Sequence, residues 1–75
     1  MVKLTKPQAL KRYLAGDSII LTPCKCSPES IMAVSIKSDK EPHKDKFDSL
    51  VNSFIYYNCN LSETGKYAHY YVKER

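Results

Sequence analysis

The sequence predicts an α+β fold. It reads as one small two-layer domain, α-β-β-α-β, with a three-stranded antiparallel sheet in the order 2-1-3 covered on one face by two helices. Three observations carry this expectation. "KPQALKRYLA" and "KFDSLVNSFIYY" repeat apolar residues at helical spacing. "SIILT" and "IMAVSIK" are short and rich in β-branched residues, and "KYAHYYV" alternates small or apolar side chains with more polar ones. At 75 residues the chain is a single domain, 1–75, with no room for a second core. A domain of this size buries only about 60% of the surface its unfolded chain exposes, so its stability is marginal.

The first helix is expected over 6–15. Thr5 followed by Gln8 forms a capping box, Leu4 stands where a hydrophobic staple would, and Pro7 falls in the first turn, where its missing N–H is harmless. Ala9, Leu10, Tyr13 and Leu14 share one face, and Leu14 is expected to help anchor the helix. Gly16 supplies the left-handed residue that ends it.

"SIILT" (18–22) is apolar on both faces and reads as the central strand. "IMAVSIK" (31–37) reads as the returning strand, with Met32, Val34 and Ile36 on one side. A competing helix start at Ser27-Pro28-Glu29 stays open. After the mixed-charge loop "KSDKEPHKDK", Phe47, Leu50, Val51, Phe54 and Tyr57 mark a second helix over 46–57, with Asp45 as its cap. The last strand is expected over 66–72. Ala68, Tyr70 and Val72 face the helices, and Tyr67, His69 and Tyr71 face away.

Charge and cysteine usage narrow the function classes. Net charge is +4, and Lys3, Lys6, Lys11 and Arg12 all precede the first acid, Asp17. No apolar run approaches the roughly 20 residues needed to cross a bilayer. Lys11 and Arg12 interrupt the only apolar stretch near the start, so no signal peptide is expected. Three cysteines, an odd number, suit reduced thiols, and the expected location is the cytoplasm.

"TPCKCSP" sets Cys24 and Cys26 one residue apart. Zinc commonly uses two chelating pairs, and here the second pair is missing. Cys24, Cys26, Cys59 and His69 remain the one alternative metal set, while the favoured reading is free thiols without metal or cofactor. Catalysis by a cysteine requires a base oriented by a third group. Cys59 and His69 lack that third member in the sequence, and no phosphate loop or paired carboxylates are present. The expectation is a non-enzymatic protein.

Together, "ALKRYLAGDSIILTPCKCSP" and "FDSLVNSFIYYNCNLSETGKYAHYY" resemble small uncharacterised proteins encoded on conjugative transposons and related mobile elements of gut gram-positive bacteria. The resemblance runs from Ala9 to Tyr71. It implies the context of a mobile element, and it carries over no catalytic residue.

Two functions are therefore weighed. The first is a protein-interaction module, in which Tyr67, His69 and Tyr71 form an exposed stripe that binds a protein partner or a second copy of the chain. The alternative is a nucleic-acid accessory module, with Lys3, Lys6, Lys11 and Arg12 as its basic residues and Tyr67, His69 and Tyr71 on the open sheet face to stack bases.

Overall fold

Six elements follow one another: β1 (Val2–Leu4), α1 (Lys6–Leu14), β2 (Ile19–Thr22), β3 (Val34–Ile36), α2 (Lys44–Asn58) and β4 (His69–Val72). The computed structural model describes residues 1–23, 28–29, 31–38, 41–58 and 68–73. The sheet has four strands in the order β1-β4-β2-β3, and every neighbouring pair is antiparallel. The expectation of three strands is corrected to four: the expected strands keep the relative order 2-1-3, as β3-β2-β4, and an additional strand, β1, lies beyond β4 at the edge.

The added strand is β1. Leu4, the residue before the Thr5 cap, is part of it and packs against the core that contains Ala9. Val2 and Leu4 pair with Val72 and Tyr70 and pack against the core, while Lys3 between them is exposed. Thr5, with extended φ and ψ of −77° and 166°, turns the chain from strand to helix. Its backbone N–H donates to Gln8 Oε1 at 2.9 Å, and the Gln8 N–H donates to Thr5 Oγ1 at 3.4 Å. The capping box so formed satisfies two donors that the first turn leaves orphaned.

At its other end α1 closes in a Schellman motif. The Gly16 N–H donates to the Tyr13 carbonyl and the Asp17 N–H to the Arg12 carbonyl, both at 3.0 Å. Gly16 has φ +97°, the left-handed region that favours glycine.

Both helices lie on one sheet face, so the molecule has two layers. The core between them joins Ala9 and Tyr13 of α1, Phe47, Val51 and Phe54 of α2, and Ile19, Leu21, Ile36, Ala68, Tyr70 and Val72 from the sheet side. Phe47 is central to it, with its ring 5.2 Å from that of Tyr13 and 6.4 Å from that of Tyr70. Aromatic pairs at such separations add about 0.5–1.5 kcal/mol beyond their area burial.

Four further expectations need correction. Leu14 is 42% exposed and does not anchor α1. The helix turns about 100° per residue, which puts Leu14 roughly 120° from the midline between Ala9 and Tyr13, the two buried positions. The strand expected over 31–37 shrinks to Val34–Ile36, with Ile31 and Met32 in an exposed turn. Asp45 is not the cap of α2 but a residue of its first turn, and the Phe47 N–H donates to the His43 carbonyl at 3.0 Å. Tyr57 is 76% exposed, because the buried stripe of α2 ends at Phe54 with Ile55 half-buried.

Candidate binding surface on the open sheet face

Strand alternation decides what the uncovered face presents. Tyr70 and Val72 point into the core, so His69 and Tyr71 point away from it. In β2, Ile19 and Leu21 are fully buried against the helices, which turns Ile20 to the open side with Tyr71 as its partner. Cross-strand pairing then builds a row over four strands, Lys3–Tyr71–Ile20–Ser35. Tyr71 and Ile20 are half-buried, and Lys3 and Ser35 are exposed at the two ends.

His69 stands one row further along, paired with Thr22. Burial pushes the His69 imidazole below its ordinary pKa, and the nearby Lys3 ammonium pushes it further the same way. The stripe expected to be fully exposed is therefore half-sunk into the sheet surface. Tyr67, its third member, lies outside the described residues.

Beside the row is a cleft of about 470 Å³, within the range of ligand-binding pockets. Ser18 and Ile20, Ala33 and Ser35, together with Pro28 and Lys73, form most of its lining. Glu29 follows Pro28 in the chain and does not line the cleft among the described residues. The strand residues turned to this face, Lys3, Ile20, Thr22, Ser35, His69 and Tyr71, include no carboxylate, and all but the fully buried Thr22 reach its surface at least in part.

The four basic residues expected to act together are separated. Lys3 joins His69 and Tyr71 on the open sheet face. Lys6 lines a groove of about 300 Å³ between the helices, with Leu10, Lys44, Phe47 and Asp48. Lys11 is exposed on α1. Arg12 is tied to Asp17, its Nε 2.7 Å from Asp17 Oδ2.

Ile20, Ser35 and Lys73 belong to the surface and were not singled out from the sequence. The signal for Ile20 was present in "SIILT", where its parity opposes that of Ile19 and Leu21. Cys24, Cys26 and Cys59 lie outside the described residues. Among the described residues no three His, Cys, Asp or Glu side chains gather as a metal site, and no helix is long and apolar enough to cross a membrane.

The chain matches no protein-family model, no curated protein and no solved structure.

Proposed function

We propose that the protein is a small non-enzymatic interaction module of a mobile element, and that it works through the uncovered face of its sheet. The row Lys3–Tyr71–Ile20–Ser35 carries this reading. It sets a half-buried aromatic ring beside an aliphatic side chain, with a cation at one end and a cleft alongside. Aromatic side chains between polar neighbours are the usual composition of a contact surface.

The charge pattern selects an anionic partner. Lys3 and Lys73 stand on this face without a carboxylate beside them among its described strand residues. A two-fold pairing of open faces would bring these lysines close to their own copies, and like charges at such contacts are costly. A second copy of the chain is thus the less favourable partner.

Retention on immobilised heparin, a polyanion, tests the surface. Lys3→Gln, Lys73→Gln and Tyr71→Ser should each elute at lower salt than the parent. Lys6→Gln and Lys11→Gln should change elution less. A larger shift for the α1 lysines would move the working surface to the helix layer and refute the reading.

A further inference from the structure

We infer that the occupant of the open face is a single strand of nucleic acid, with one base lying against Tyr71 and its flanking phosphates held by Lys3 and Lys73. The inference rests on the open face being the working surface and adds the chemical class of the partner.

The placement of the ring relative to the two cations favours this occupant. Tyr71 lies on β4, an inner strand, so its ring sits over the sheet with β1 on one side and β2 on the other. Lys3 is its direct partner on β1. Lys73 follows the end of β4, two residues beyond Tyr71 and about 6.6 Å along an extended chain, and lines the cleft with Ile20 and Ser35. Lys3 stands across the sheet from the ring and Lys73 along the chain from it. Two ammonium groups thus border one ring on adjacent sides, within reach of consecutive phosphates of a strand whose base lies on that ring. An acidic polypeptide supplies the charge, but its carboxylates carry no stacking group of their own, whereas each phosphate of a nucleic acid comes with a base.

Ile20 and Ser35 extend the platform away from Lys3 and form part of the cleft. A neighbouring base fits there, with an apolar floor beneath it and the Ser18 and Ser35 hydroxyls available to its polar edge. Bases within a duplex are already stacked on each other, so a flat sheet face reaches only unpaired ones. Stacking of this kind tolerates any base, because every base has a π-face.

Fluorescence anisotropy with labelled oligo-dT and oligo-U of about 10 nucleotides, within the usual site size, tests the inference. Tyr71→Ala should weaken binding roughly 5- to 150-fold, the range expected for losing one stacked base. Tyr71→Phe, which keeps the ring, should bind as the parent does. Because Tyr71 is half-buried, Lys3→Gln provides an independent arm. It should lower the slope of log affinity against log salt by about 0.7, one phosphate on a single strand.

Three results would overturn the proposal. The first is no oligonucleotide binding, or a duplex bound as tightly as the single strand. The second is polyglutamate bound as tightly as the oligonucleotides and equally sensitive to Lys3→Gln, which would make the occupant an acidic chain and leave the open-face reading standing. The third is oligonucleotide binding unchanged by Tyr71→Ala and Lys3→Gln but lost in Lys6→Gln and Lys11→Gln, which would remove both readings.

Discussion

Arg12 and Asp17 are joined twice at the end of α1. The Arg12 guanidinium donates through Nε to Asp17 Oδ2 at 2.7 Å, and the Asp17 N–H donates to the Arg12 carbonyl at 3.0 Å. One bond closes the Schellman motif and the other clasps it from outside. The clasp is solvent-facing, with the Arg12 side chain 46% exposed. Its contribution is correspondingly small.

Substitutions at this junction should separate backbone from charge. Gly16→Ala should destabilise by about 1–2 kcal/mol, since φ is +97° and no atom lies within 4 Å of the added methyl. Asp17→Asn should cost about 0.5 kcal/mol or less, and the loss should shrink in high salt. Urea denaturation of both variants at low and high salt measures the difference. A larger loss in Asp17→Asn would mean that the clasp, and not the glycine, holds the helix end.

The core of α1 should respond unequally to truncation of neighbouring residues. Tyr13→Ala should cost about 3–5 kcal/mol, because the side chain is fully buried against Phe47. Leu14→Ala should cost about 1 kcal/mol or less, given its 42% exposure and the high helix propensity of alanine. Tyr13→Phe should leave stability unchanged or raise it. The buried Tyr13 hydroxyl has no hydrogen-bond partner among the described residues, and removing an unsatisfied polar atom relieves its desolvation penalty. Denaturation midpoints rank all three.

Stability should fall on acidification through His69. Its pKa is lowered in the folded protein, first by burial and then by Lys3, so below the ordinary value of about 6.5 the unfolded chain binds the proton first. The His69 contribution is intact above that value and is lost as pH falls towards the folded pKa. His69→Gln should flatten the stability profile in this window. A phosphate bound near Lys3 would offset the ammonium charge and raise the His69 pKa, so oligonucleotide affinity should increase as pH falls. A protein partner that buries neutral His69 would instead be released by acid. Anisotropy between neutral and mildly acidic pH distinguishes the two.

The free-thiol reading of Cys24, Cys26 and Cys59 also has a direct check. Protein purified without chelator should contain well under one equivalent of zinc by elemental analysis. His69, the fourth member of the alternative set, lies beside a lysine ammonium that opposes a nearby cation. Stoichiometric zinc lost in both Cys59→Ser and His69→Gln would establish the metal site.

What was legible in the sequence follows the range of the interactions involved. The capping box of Thr5 and Gln8 and the turn at Gly16 depend on neighbours within a few positions, and both stand as expected. The two helices were readable because their buried faces repeat along a single element. β1 was not, because "VKL" has three residues and becomes a strand only by pairing with β4 at the far end of the described chain. The exposure of Leu14 was likewise hidden, since helical spacing gives a stripe but not which part of its width the sheet covers. The candidate surface was half legible. Alternation in "YAHYY" places His69 and Tyr71 correctly, but Lys3 reaches them only through the β1–β4 register.

That register also sets an order of events during synthesis on a ribosome. β4 lies between β1 and β2, so neither can form its final pairing with β4 until residues 69–72 have emerged. Before then only α1, the β2–β3 hairpin and later α2 are available, and β1 has no partner strand. The final step is a long-range closure, in which Val2 must meet Val72 across nearly the whole described length. Closures of this kind are entropically costly and slow. The nascent chain therefore carries an unpaired strand edge, the species most prone to cross-pairing with another chain, until β4 arrives.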